Sequence, residues 1–264
     1  MRRWWGRWPL NIFAGVVLVY LFMPIAWIVI YSFNKPKGDF NLSWQEFTLD
    51  NWLNAFEGSS YRDAFVESLK VAAISTSIAT VLGSMIAIAL SRYRFRGAGT
   101  LNVLLVLPLT TPEIVMGSSL AALFLDADVT RGFTTVVIAH VMFQVSFVAL
   151  TVRARVRGFD WTLEQAAQDL GASPLRTFWR VTFPLILPGI AAAALLSFAL
   201  SIDDYIITVF NSGSLQTFPV YINGAFQREF PAQVNVLATL ILVVSVGLML
   251  IGVLRSTRRA ARGH

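Results

Sequence analysis

Three carboxylates lie inside apolar stretches of the chain: Glu113 in "LPLTTPEIVMG", and Asp203 with Asp204 in "SFALSIDDYIITVF". An ionised carboxylate at the centre of a membrane helix costs about 2.5 to 3.5 kcal/mol on insertion scales, so such groups turn towards protein or a water-filled cavity. The chemistry open to them is recognition of a cation, with the adjacent Tyr205 able to lie against methylenes or ammonium groups. Apart from Lys70, no basic residue is expected deep in the apolar core, which suits a cation better than a phosphate, sulfate or carboxylate. Each acid also has a structural reading. Glu113 follows Thr111-Pro112, which read as cap and first position of a new half-helix whose positive dipole a carboxylate complements. Neighbouring helix residues are about 100° apart, so one of Asp203 and Asp204 can face a pathway while the other bonds to a packed helix. Glu67 has Lys70 three residues on and reads as a local ion pair.

Catalytic signatures are lacking. The three lysines, Lys35, Lys37 and Lys70, stand in no Gly-x-x-x-x-Gly-Lys-[Ser/Thr] context, and no Gly-x-Ser-x-Gly or His-Glu-x-x-His occurs. There is no cysteine, and the two histidines, His140 and His264, are far apart in sequence, so no metal site is expected. His140 reads as a packed or hydrogen-bonded helix residue.

The elements that must position these acids are membrane spans. Of 264 residues 56% are hydrophobic and 14% charged. The mean hydropathy is +0.63. Six runs are long enough for a hydrocarbon core of about 30 Å, near residues 10–33, 64–90, 100–124, 132–152, 185–210 and 232–254. The first follows "MRRWWGRWP" but has no small-residue cleavage site after it, so a retained helix is expected. With the N-terminus inside, 15 of the 21 basic residues fall in inner segments and five, Lys35, Lys37, Arg62, Arg131 and Arg228, in outer ones. That bias predicts an all-α, six-span protein of the cell membrane with both termini cytoplasmic, its basic face towards anionic headgroups. Nucleic-acid binding is not needed to explain the net charge of +6. In this topology Asp203 and Asp204 fall in the outer half of the fifth span. The first outer loop carries Trp44, Phe47, Trp52 and Phe56, a spacing that suits a short interfacial helix or an outward docking surface.

The longest inner segment, 153–184, is more than a connector. "DWTLEQAAQDLGA" predicts a short helix that Asp160 or Thr162 starts and Gly171 ends, with a second helical piece after Pro174. Within it, Gln165-Ala166-Ala167, three residues, Gly171, nine residues, Val181, one residue and Phe183-Pro184 resemble the EAA signature of ABC-importer permeases. Gln165, Val181 and Phe183 depart from its Glu, Ile and Leu, and Glu164 stands one place early. The resemblance extends through "LPLTTPEIVMG", "LSIDDYIITVFNSG" and "FPAQVNVLAT" and is closest to permeases for putrescine and spermidine. It implies a type I importer permease fold in a single transmembrane domain, 1–264. The implied assembly has a second homologous permease, two cytoplasmic ATPases and an external or periplasmic substrate-binding protein. The loop would be the coupling helix, with Ala166, Ala167, Gly171 and Ala172 permitting close approach and Glu164 and Asp169 offering polar contacts. Glu113, Asp203, Asp204 and Tyr205 would line the substrate pathway. No cofactor is implied in this chain, since ATP and Mg would be bound by the partner ATPase. Another small solute, such as iron or thiamine, is the alternative substrate class. A self-sufficient channel or secondary transporter is the alternative of another class, and neither an obvious inverted repeat nor an uninterrupted ion-binding site supports it.

Overall fold

The structure, a computed structural model, describes residues 8–57, 59–225, 230–244 and 246–247. The arginines at 2–7 and 255–262, Arg228 and the far end of the sixth apolar run lie outside the described residues. The described chain is helical, with two isolated β-bridges, Asn34 to Phe47 and Phe40 to Phe230. In order the helices are α1 (Trp8–Tyr31), α2 (Asp50–Leu53), α3 (Ser59–Arg92), α4 (Ala98–Thr110), α5 (Glu113–Asp126), α6 (Phe133–Val156), α7 (Thr162–Asp169) and α8 (Pro174–Thr177). A π-helical turn, Phe178–Thr182, then leads into α9 (Phe183–Asp203), α10 (Ile206–Asn211) and α11 (Phe218–Ala225). The last described helix is α12 (Ala232–Val244).

Among the described residues four helices are long and apolar enough to cross a membrane: α1, α3, α6 and the continuous Pro174–Asp203 segment. The apolar run over 100–124 is two helices, α4 and α5, bent by 108°, in keeping with the new half-helix expected after Thr111. Pro112 causes the break, because it offers no N–H to α4 and forces the residue before it out of the helical region. Thr111 accordingly has ψ 132° and Pro112 ψ 134°. Thr111 does not cap α5 as expected. Its hydroxyl donates back to the Leu107 carbonyl at 2.7 Å, and Pro112 supplies the carbonyl that opens α5.

The chain forms two compact units. The first holds residues up to Asp63 together with those from Ile222 onwards. In it, α1 buries only Tyr31, so its apolar surface is open along its length. The outer loop is not the amphipathic helix its aromatics suggest, since α2 is a single turn of four residues. Asparagines organise it instead: Asn34 donates to Asn41 at 2.6 Å and to the Ser43 carbonyl at 2.9 Å, while Asn41 donates to the Tyr31 carbonyl at 2.8 Å. Asn51 donates to the carbonyls of Ser32 and Asn34. Phe33 stacks between Phe47 and Trp52, whose Nε1 reaches Ser32 Oγ.

The second unit, Ala64–Tyr221, packs α3, α6 and α9 through small residues. Ala79 and Ala87 of α3, Val148, Val152 and Val156 of α6, and Ile186 and Ala193 of α9 form one buried cluster. Apolar association gains little inside a membrane, so close approach of small residues carries helix packing there. α3 and α6 cross closely at Gly83, where an added Cβ would stand 2.7 Å from Val148 Cβ and 3.0 Å from the Ala149 nitrogen. Gly83→Leu is expected to destabilise this unit by at least about 1–3 kcal/mol, the cost of overpacking. A thermal unfolding midpoint equal to that of the unmodified protein in detergent would contradict that crossing.

Candidate functional site

A second helix break faces the first. Hydropathy suggests a single helix over 185–210, but α9 stops at Asp203, Asp204 is extended at ψ 121°, and α10 begins at Ile206. No proline or glycine lies at this point, so the cause is a side chain. Asp204 Oδ2 accepts from the Thr208 backbone N–H at 2.8 Å and from its hydroxyl at 2.7 Å, supplying an acceptor that the missing helical turn would have provided. The ring of His140, 1% exposed, lies with Nε2 3.3 Å from the same oxygen and 2.9 Å from Thr208 Oγ1. Its Nδ1 is 2.7 Å from Ser201 Oγ, which in turn lies 3.3 Å from Ser75 Oγ of α3. With Asp204 ionised, Thr208 uses its one hydroxyl proton on the carboxylate. A neutral imidazole then carries its proton on Nε2 and accepts from Ser201 at Nδ1.

The two breaks meet at a cavity of about 340 Å³. Pro108, Thr111 and Glu113 line it from the first break, and Asp203, Asp204 and Tyr205 from the second. Phe143, Phe147 and Met116 supply an apolar wall. α10 is seated against α5 because Gly117 leaves room, an added Cβ there standing 3.0 Å from the Phe210 ring. Asn211 then donates to the Gly117 carbonyl at 3.2 Å. The four residues singled out as a pathway are thus gathered at one cavity, in unequal states. Asp203 and Glu113 are exposed, whereas the Asp204 side chain is 5% exposed and engaged in the polar cluster. Sequence reasoning missed Ser201 and Thr208, although their places three residues before and four after Asp204 are the signal that could have found them. Glu67 pairs with Lys70 at 2.7 Å, outside this cavity.

The inner loop is built as two short helices around a corner. Asp160 Oδ1 accepts from the Thr162 hydroxyl at 2.8 Å and from its N–H at 3.0 Å, opening α7. These two bonds, the side-chain one first, hold the Asp160 carboxyl below its usual range. The sign follows: this support is present above the ordinary aspartate value and is lost as pH falls through the lowered one. Gly171, at φ +85°, closes α7, its N–H bonding to the Gln168 carbonyl and the Ala172 N–H to the Ala167 carbonyl. Gln165, Ala166, Asp169, Leu170 and Gly171 are exposed, and Ala167 and Ala172 are half-buried. Glu164 corrects the expectation that it presents a contact outwards. It is 4% exposed and turned into the protein, paired with Arg92 Nη2 at 2.8 Å and accepting from the Thr182 hydroxyl. Among the described residues no group of three or more His, Cys, Asp or Glu side chains is placed to hold a metal.

Residues 79–260 match the family described as binding-protein-dependent transport system inner membrane component. The chain is 36% identical over 242 residues to the spermidine/putrescine transport system permease protein PotC of Haemophilus influenzae, covering 91% of this chain and 93% of that one. It is also 36% identical over 238 residues to the putrescine transport system permease protein PotI of Escherichia coli, covering 84% and 82%. Among solved structures, a bacterial alginate ABC transporter in complex with alginate pentasaccharide-bound periplasmic protein shares the fold, with a TM-score of 0.65 at 14% identity over 93% of each chain.

The buried His140 cluster makes a direct prediction. His140→Ala removes partners from Ser201, Thr208 and Asp204 and is expected to cost about 1–3 kcal/mol, read as a lower unfolding midpoint of the purified protein. An unshifted midpoint would place the imidazole outside a structural role.

Proposed function

The chain belongs to the binding-protein-dependent transport system inner membrane component family, and from that premise we propose that it is the permease subunit of an ATP-driven polyamine importer. The spermidine and putrescine named for its 36%-identical relatives support the substrate class. The observation that carries the reading is the acidic cavity at the meeting of two broken helices. Irregular backbone at membrane depth is tolerated where it lines water or protein, and paired discontinuous helices are a recurring way to build a transport site.

In this reading Asp203 and Glu113 meet the ammonium groups of the substrate, and Tyr205 with the Phe143 and Phe147 wall lies against its methylenes. Asp204 serves the protein, holding α10 in place. The whole chain, 1–264, acts as one transmembrane permease domain of six spans with both termini cytoplasmic, paired with a second homologous permease in the cell membrane. An external or periplasmic binding protein delivers the cation. Two cytoplasmic ATPases bind ATP and Mg, this chain carrying no cofactor of its own. The α7–α8 corner is the coupling helix, presenting Gln165, Ala166, Asp169, Leu170 and Gly171, with Ala167 and Ala172 beneath. An added side chain at Gly171 would meet nothing within 4 Å in this chain, so the constraint there is its φ of +85° together with room for a partner.

Two measurements test this. Asp203→Asn combined with Glu113→Gln is expected to raise the KM for putrescine uptake by about tenfold or more, the loss of one to two charge-assisted contacts. Undiminished uptake would remove the cavity from the pathway. Gly171→Leu is expected to leave the subunit in the membrane while abolishing coupled ATP hydrolysis, because a left-handed conformation costs a branched residue about 1–2 kcal/mol and the added bulk fills the docking face. Transport at the unmodified rate would displace the coupling assignment.

A further inference from the structure

The buried carboxylate of Glu164 joins three elements that the sequence keeps far apart. Arg92 is the last residue of α3, Glu164 lies in α7, and Thr182 ends the π-helical turn that feeds α9. The guanidinium meets the carboxylate as a fork, Nη2 to Oε2 at 2.8 Å and Nη1 to Oε1 at 3.3 Å, and the Thr182 hydroxyl donates to Oε1. Both carboxylate oxygens are therefore used within the chain. The guanidinium also lies 5.5 Å over the Trp161 ring and 5.6 Å over the Tyr93 ring, and Trp161 packs edge-on to Phe159. Phe159 and Trp161 rest on the buried α3–α6–α9 cluster. A bidentate, stacked arginine holds one geometry, whereas a lysine at this site would be a point charge on a flexible stem.

We propose that Glu164 is a positioning residue, clamping the α7 coupling helix to the inner ends of α3 and α9 so that one displacement of α7 drives both. The inference rests on the coupling role of α7 proposed above. Its mechanical basis is the length of α9, 21 residues from Phe183 to Asp203. At 1.5 Å per residue it is a rod of about 31 Å that begins at the clamp and ends at the cavity carboxylate. α3 carries the other arm, from Arg92 up to Ser75, which touches Ser201 of α9 in the polar cluster around His140. The π-helical turn lies directly after Thr177 and before α9, and such turns are uncommon outside functional positions. Here it brings Thr182 onto the Glu164 carboxylate.

The test uses the complete complex of both permeases and both ATPases in lipid vesicles with the binding protein and putrescine. Its readout is ATP hydrolysed per putrescine imported. Glu164→Gln and Arg92→Ala are each expected to raise that ratio about tenfold, within the usual range of coupling effects. The exchanged pair, Arg92→Glu with Glu164→Arg, is expected to bring it back towards the original value, because the fork and the Thr182 contact can form in reverse. A role confined to stability would lower assembly yield without moving the ratio, and an unchanged ratio in Glu164→Gln overturns the proposal. If Glu164→Gln fails to assemble, Thr182→Val decides by the same readout. Leu170→Asp on the exposed face separates the two readings. If it leaves ATPase association intact, α7 is not the coupling contact. If it abolishes association while Glu164→Gln keeps the original ratio, the clamp alone is wrong.

Discussion

Inside a bilayer every backbone N–H and carbonyl must find a partner, and that requirement governs this structure more than any single contact. A continuous helix meets it automatically. A broken one exposes donors and acceptors that only a side chain, another helix or water can satisfy. Among the described residues the apolar runs break at Thr111-Pro112 and at Asp204-Tyr205, and both breaks line the same cavity. At the second, the Asp204 carboxylate serves the Thr208 N–H; at the first, Pro112 has no N–H to satisfy, and the Thr111 hydroxyl adds a bond to a Leu107 carbonyl that already accepts the Thr111 N–H. The cavity is thus the place where the backbone can afford to be irregular, and the irregularity is what brings acids from two spans together.

The same constraint divides the labour of the adjacent aspartates. Had α9 continued, Asp203 and Asp204 would differ only by a rotation about one helix axis. Because the helix ends between them, Asp204 turns into the cluster of Thr208, His140 and Ser201 while Asp203 stays exposed. A charge that already accepts bonds from within the protein has less to gain from a passing cation than one that is solvated by water alone. Burial therefore separates two chemically identical groups into an anchor and a candidate ligand. The asparagines that follow α1 obey the same logic in the other unit, where Asn41 and Asn51 satisfy the Tyr31 and Ser32 carbonyls at the end of α1, and Asn34 and Asn51 those of Ser43 and Asn34 in the loop.

What the sequence makes legible divides along range of interaction. The apolar runs give the helices, because span length is set by bilayer thickness and needs no tertiary information: 132–152 is expected and Phe133–Val156 observed. The break at Pro112 is legible because proline acts on its own neighbours, and Gly171 marks the end of α7 for the same local reason. The break at Asp204 is not legible, since its partner His140 lies 64 residues earlier and no breaker residue marks the spot. Glu164 shows the same limit. Its place on a short, mostly exposed helix suggests an outward contact, and only the arrival of Arg92 from 72 residues away turns it inward. The aromatic spacing of the outer loop suggests a helix, but the asparagine network that overrides it depends on which carbonyls the fold leaves unpaired.

These long-range polar contacts also distinguish rigid from adjustable parts. The α3–α6–α9 core is made of alanine, valine and isoleucine with Gly83 where α3 meets α6, a surface that resists small displacements because close-packed side chains have nowhere to move. At its two ends the packing gives way to directional bonds: the Arg92–Glu164–Thr182 fork at the loop and the Ser75–Ser201–His140–Asp204 chain at the cavity. The hydroxyl and imidazole bonds of the cavity chain can exchange partners without opening a void, whereas the bidentate, stacked fork holds one geometry. Under the proposed coupling role of α7, a shaft clamped at one end and adjustable at the other would carry a push on α7 to the cavity as a body, changing which polar groups meet at the far end.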